Sequence, residues 1–370
     1  MNLYINLLNY RDSKLAGTGY FMKRLFEGLP SNSGFYQRFT KIIILCPKNI
    51  DTAKVFNVPY VSNVRFKRVA FIHRFLILRI LYEQLILPVY LLVQKPCIYF
   101  APNPVVPLLS KFLSPKTRTI CTIHDMIPFH IPEKYGYFRG KYIQSISVLS
   151  ARLSTKVITV SEFSKIDIVN LTGISADKIS VVYNFMNAKL SLNNPSLPFF
   201  ITVCTIEPGK NIELMLDGFT TFLERNSQNM EYKYYLIGKP GWNYEAIYQY
   251  VKNLSSSQNI FFLGYLDENR KEEYIKNCTA LLYLSKYEGF GIPILEAMYQ
   301  GKPSIVSGSS ALPEVVGKTG VILDELTKER MADGMESVIN NQNLYIQHIP
   351  GQIKKFKPEL QIERFVNLFN

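Results

Sequence analysis

The sequence predicts an α/β protein of two doubly wound domains facing a cleft, and three observations carry that prediction. First, a chain of 370 residues is too long for one compact core. Second, short apolar runs, such as residues 42–46 and 280–284, alternate with segments of helical spacing in both halves. That is the pattern of parallel strands covered on both faces. Third, residues 187–198 gather Asn193, Asn194, Pro195 and Pro198 into a stretch suited to an interdomain linker. The domains are therefore placed at 1–190 and 191–355, with a terminal helix, 356–370, returning to the first.

Taken in order, residues 1–8 form a first strand, since they lack the charged start and cleavage site of a leader. Gly17 and Gly19 follow, at the start of a helix through Leu29, where backbone can approach a phosphate. Met22 occupies the position of a third glycine, so this is no dinucleotide fingerprint. Strands are expected at 42–46, 96–100, 119–123, 157–160 and 179–184, and Ser161 caps the helix after the fourth of these. The strand at 119–123 runs into His124 and Asp125, polar groups at the carboxyl end of a parallel strand, where open α/β sheets place their sites. Residues 65–93 interleave Arg65, Lys67, Arg68, Arg74 and Arg79 with aromatic and aliphatic side chains. Arg79, Glu83, Gln84 and Pro88 interrupt the apolar run and exclude a membrane span. Two readings stay open: a core helix with a solvated basic flank, or a surface that rests on anionic lipid.

In the second half, strands are expected at 199–203, 234–237, 260–266, 280–284 and 303–306, with helices at 212–224, 267–277, 324–340 and 358–370. Lys210 stands at the start of the first of these helices, where an ammonium and helix N–H groups together suit a diphosphate. The most informative stretch is Tyr287-Glu288-Gly289-Phe290-Gly291-Ile292-Pro293-Ile294-Leu295-Glu296. It reads as strand, glycine turn, helix: N–H groups and a helix dipole for an anion, and two carboxylates for sugar or ribose hydroxyls.

Composition narrows the partners. With 47% hydrophobic and 13% aromatic residues the chain is globular, not disordered. Five scattered cysteines, with no CxxC pair, fit reduced thiols and give no metal signature. Residues 1–190 hold 25 Lys and Arg against 9 Asp and Glu, a net of +16, while the remainder is net −3. A basic half calls for an anionic partner, and no recognised nucleic-acid module is present.

Glu288 and Glu296, seven residues apart in between, resemble the Glu-x7-Glu signature of family 4 retaining glycosyltransferases, whose GT-B fold pairs two Rossmann-like domains across a cleft. The resemblance spans nearly the whole chain and is strongest at residues 119–128, 199–219 and 281–316. It implies that Glu288 and His124 meet the donor sugar and that Lys210 holds the diphosphate. It further implies that Glu296 grips the ribose, backbone near Tyr265 meets the base, and Gly17, Gly19, Asp125, Gly209, Gly289, Phe290, Gly291 and Ile292 line the donor. Gly209 stands where the family motif has Arg, and Lys239 is the candidate substitute. Without an Asp-x-Asp, no metal or other cofactor is expected. The mix of motifs looks most like bacterial mannosyl- or rhamnosyltransferases of surface polysaccharide assembly. That implies a nucleotide-sugar donor, GDP-mannose favoured, and a glycan or polyprenyl-diphosphate-linked acceptor at the cytoplasmic face of an anionic membrane, with no nucleic acid. Two rivals are a GT-B nucleotide-sugar epimerase, needing no acceptor, and a non-catalytic basic adaptor.

Overall fold

The computed structural model describes residues 1–10, 15, 17–32, 34–70, 76–94 and 96–370. Arg74 and the start of the first glycine-rich loop, residues 11–14 and 16, lie outside the described residues. The chain divides into two compact units, Met1–Phe185 with Lys357–Asn370, and Met186–Phe356.

The first unit is a seven-stranded sheet of β1 (Asn2–Asn6), β2 (Lys41–Pro47), β3 (Val64–Val69), β4 (Cys97–Ala101), β5 (Arg118–Thr122), β6 (Lys156–Thr159) and β7 (Ile179–Val181), in the order β3-β2-β1-β4-β5-β6-β7. The second has six: β8 (Phe199–Val203), β9 (Lys233–Ile237), β10 (Ile260–Gly264), β11 (Ala280–Tyr283), β12 (Ser304–Ser307) and β13 (Gly320–Leu323), ordered β10-β9-β8-β11-β12-β13. Every pairing is parallel. Parallel strands need covered faces, and the central ones have them: β4 and β11 are buried at every residue. In each sheet the strand order reverses once, between β1 and β4 and between β8 and β11. At such a point the loops after two neighbouring strands diverge and leave a crevice.

The second core shows how helices cover a sheet. Met215, Leu216, Phe219, Phe222 and Leu223 recur at helical spacing on Ile212–Arg225 and meet Phe200, Tyr234 and Leu282 of the strands. Gly218 on that helix leaves room for Lys328–Asn340: a Cβ there would sit 2.3 Å from Met331 Cγ. The sequence expectation of a helix from residue 324 is corrected at its start. Gly320–Leu323 is the edge strand β13, and the helix begins at Lys328, with the Thr327 side chain accepting from Arg330 N at 3.2 Å. The terminal helix, Pro358–Asn367, packs in the first unit: Gln361 Oε1 accepts from Tyr183 N at 3.0 Å, and the Phe365 ring lies 5.3 Å from that of Phe100.

Candidate functional site

The loops after β8 and β11 flank the reversal of the second sheet, and backbone and side-chain bonds stitch them together. Lys286 N donates to Gly209 O at 2.9 Å, and Asn211 Nδ2 donates to Leu284 O at 2.8 Å. Pro208–Lys210 is a single tight turn that Asn211 ends in the left-handed region, at φ 52°. The turn delivers the Lys210 ammonium to the Glu288 carboxylate, where the two form an ion pair. Tyr283, the last residue of β11, donates its hydroxyl to the same carboxylate oxygen at 2.9 Å, and its ring lies 5.8 Å below the ammonium. From the loop after β12, Ser310 Oγ accepts from Glu288 N at 3.0 Å. Burial works to raise the Glu288 carboxyl, but the adjacent ammonium outweighs it and holds the group below its usual range. The same balance keeps Lys210 protonated: burial pulls its pKa down, and Glu288 pulls it well above the ordinary value.

After Glu288 the chain turns through Gly289 and Phe290, both buried, into the helix Ile292–Tyr299. Gly291 caps that helix at φ 100°, a conformation open to glycine, and a Cβ there would press on Ile294 and Leu312 at 3.0 Å. No side chain caps this helix start, which leaves the positive end of the helix dipole at Ile292. Glu296, 8% exposed on the same helix, forms a separate ion pair with Lys271 at 2.9 Å. Lys271 also reaches Glu268 at 2.9 Å.

The loop after β9 is laid against the loop after β8. A Cβ on Gly238 would fall 1.6 Å from Cys204 O, and Ile206 N donates to Lys239 O at 2.9 Å. Lys239 itself is exposed, and its ammonium lies 4.7 Å over the ring of Tyr265. It therefore stacks on Tyr265, which follows β10.

In the first unit, His124 and Asp125 follow β5. The His124 ring meets Phe21 edge-on at 5.2 Å, and its Nε2 donates to Pro102 O at 3.1 Å. Burial pushes its pKa down to about 4, so the ring is neutral near pH 7. With Nε2 carrying the proton, Nδ1 is left as a hydrogen-bond acceptor. Asp125 Oδ1 accepts from Ile127 N at 3.1 Å, a turn-forming bond. Gly17 and Gly19 open the helix Gly17–Gly28; Gly17 is exposed, while Gly19 is buried against Leu15, 2.8 Å from its absent Cβ.

The structure thus joins Lys210 with Glu288, Glu296 with Lys271 and Lys239 with Tyr265, and carries His124 and Asp125 on the other unit. Sequence reasoning missed Tyr283, Ser310, Lys271 and the Pro102 carbonyl. Tyr283, a hydroxyl at the carboxyl end of a buried strand, is the one whose position carried a signal.

Two parallel sheets of this order, with ion-paired loops at the reversal of the second, define a GT-B glycosyltransferase fold. Residues 40–190 match the family described as Glycosyltransferase Family 4, and residues 187–352 match Glycosyl transferases group 1. The two models, both of glycosyltransferases, together run over residues 40–352, each matching less than half of the chain. Among its relatives, the O-antigen chain mannosyltransferase B of Escherichia coli is 29% identical over 62% of this chain and 62% of its own. The O-antigen chain mannosyltransferase RfbU of Salmonella typhimurium is 28% identical over 65% of this chain and 64% of its own. The match thus spans less than two thirds of either relative's length. Among solved structures, Anabaena Alr3699/HepE in complex with UDP-glucose superposes with a TM-score of 0.74 at 14% identity, covering 100% of this chain and 99% of that one.

Proposed function

We propose that this chain transfers a hexose, with retained anomeric configuration, from a nucleoside-diphosphate sugar to a glycan or polyprenyl-diphosphate-linked acceptor in surface polysaccharide synthesis. The observation that carries the reading is the Lys210–Glu288 ion pair at the strand-order reversal of the second sheet, beside an uncapped helix start. In the proposed reaction the bond from the anomeric carbon to the diphosphate breaks, and a bond to the acceptor oxygen forms. The diphosphate leaves with an added negative charge. Lys210 and the amides near Gly289–Ile292 hold that charge in a site where no solvent need reorganise. Glu288, acceptor only when ionised, orients sugar hydroxyls, and Glu296 with Lys271 engages the ribose. His124 offers Nδ1 to a sugar hydroxyl, and the leaving diphosphate itself takes the acceptor proton. No metal or cofactor enters the scheme.

In this reading residues 191–355 bind the donor and the basic residues 1–190 bind the acceptor at an anionic membrane face. The names of the two relatives support mannose, and hence GDP-mannose, as the donor. The bound UDP-glucose of the Anabaena protein makes a uridine donor the competing outcome. A thermal-shift panel of GDP-mannose, UDP-glucose and the corresponding dTDP- and ADP-sugars tests this, because a ligand bound to the folded state raises its apparent stability. GDP-mannose is expected to give the largest shift, and GDP release is expected only when a lipid-linked glycan is added. Conversion of the sugar nucleotide with no acceptor would mark an epimerase. No shift with any nucleotide sugar would remove the enzyme reading.

A further inference from the structure

One helical stretch of the first unit is apolar on its outer face as well as its inner one. It runs as Leu76–Leu81, a wider π turn Tyr82–Ile86, and Leu87–Leu92. Its polar side chains point inward. Glu83, 1% exposed, accepts from Asn6 Nδ2 at 2.8 Å and lies 3.5 Å from Arg79, while Gln84 donates to Val106 O at 2.9 Å and accepts from Leu108 N at 3.0 Å. Leu87 and Leu91 are buried against the core, but six other aliphatic side chains point outward: Ile77, Leu81, Leu85, Ile86, Val89 and Leu92 are 45–70% exposed. The short helix Ser110–Leu113 adjoins it, with Ser114 Oγ donating to Leu91 O at 3.4 Å, and adds Phe112 at 72% exposure. Single exposed aliphatics are ordinary. A continuous face of them, over a helix that hides its charges, demands an apolar environment.

We propose that this face lies flat in the headgroup–acyl boundary of an anionic bilayer. Among the described residues no helix is long and apolar enough to cross a membrane, so the geometry is that of a helix lying on it. The rim decides the occupant. On the neighbouring edge strand β3, the Lys67 ammonium lies 3.3 Å over the ring of Tyr90, a residue of this helix. Arg65 and Arg68 are exposed on the same strand, and Lys111 is exposed beside Phe112. A second copy docking face to face would bring one cationic rim against another, whereas lipid phosphates neutralise it. The inference deepens the membrane part of the proposed function and stands apart from its chemistry, because no sugar nucleotide is needed to observe it.

The test is flotation of the full chain with vesicles of phosphatidylglycerol and phosphatidylcholine in equal parts, against phosphatidylcholine alone. Binding is expected to the mixed vesicles and to weaken at high salt. Val89→Asp and Phe112→Asp, on two different elements, should each lower partitioning by about 10-fold or more, while Val89→Leu leaves it unchanged. Both aspartates replace exposed side chains, so unfolding temperature and any nucleotide-sugar shift should stay as in the wild type. Failure of the wild type to float, or aspartate variants that float as well as it does, overturns the proposal. A dimer by light scattering that Val89→Asp dissolves, with flotation unaltered, assigns the face to a second copy and overturns it too.

Discussion

Glu288 and Glu83 are both glutamates taken out of water, each beside a cation and a neutral donor, yet they are built differently. Glu83 sits inside a helix, its cation Arg79 comes from the turn before it, and Asn6 supplies the neutral hydrogen bond. Glu288 sits on a glycine-flanked loop, 13% exposed in its side chain, and its cation comes from a loop 78 residues away. A pair made within one helix holds that helix in place. A pair assembled from two loops at the reversal of a sheet has no strand or helix to secure, and the sequence cost of bringing it together points to chemistry.

The largest expected effect comes from removing each cation. Lys210→Ala should lower transfer by about 10²–10³-fold, the loss usual for a group that holds developing charge. It should also cost roughly 3–5 kcal/mol of stability, because a buried carboxylate is left beside no ammonium. Adding Glu288→Gln should restore most of that stability and none of the transfer. In the first unit, Arg79→Ala with Glu83→Gln should recover stability and whatever activity Arg79→Ala alone removed. Denaturant unfolding together with product formation separates the cases. If the Lys210 double variant regains activity, Glu288 and Lys210 are one more structural pair and the comparison collapses.

His124 supplies the next effect, on stability with pH. Its folded pKa, about 4, lies below the ordinary 6.5, so the unfolded chain binds the extra proton first on acidification. The contribution of the neutral ring is complete above pH 6.5 and is lost progressively as pH falls towards 4, by up to about 3 kcal/mol. Glu288, whose folded pKa is also lowered, adds a loss in the same direction at lower pH. In His124→Phe the decline between pH 6.5 and 4 should flatten in urea unfolding curves. A wild-type stability that is level over that window would show the ring to be solvated.

The same contrast explains what the sequence disclosed. Strands β2, β8 and β11 were legible because a parallel strand buried on both faces must be apolar throughout, and little else is apolar for only four to seven residues. Edge strands escape that rule. β3, Val-Arg-Phe-Lys-Arg-Val, is half solvated and reads as a basic flank, and β13 buries only Leu323 fully. At the site, Gly291 and Lys210 could be found from turn chemistry, which is local. The partnership of Lys271 with Glu296 could not, since the two stand 25 positions apart with a strand between them and nothing in either helix names the other. Nor could the sequence say which side of residues 76–92 faced out. Apolar content there is compatible with a core or a surface, and the difference lies in where Arg79 and Glu83 find each other.

A smaller effect follows for that hidden partner. If Lys271 holds Glu296 aimed at the ribose, Lys271→Met should raise the donor KM by about 10-fold with kcat little changed, since binding common to the ground and transition states is lost. Lys271→Arg should recover part of it. A fall in kcat at constant KM would instead place Lys271 among the groups that meet developing charge.

The smallest effect is expected at Lys239, and it bears on the missing motif arginine. An exposed ammonium over an aromatic ring contributes about 0.5–1 kcal/mol, so Lys239→Ala should weaken donor binding by no more than about 2–5-fold. Tyr265→Ala should do the same, and the double variant should lose no more than either one, because the two act as a unit. Isothermal titration with the sugar nucleotide that gives the largest thermal shift measures this directly. A Lys239→Ala loss of 100-fold or more, with Tyr265→Ala mild, would mean that Lys239 leaves the ring to meet the diphosphate, taking the place that Gly209 vacates beside Lys210.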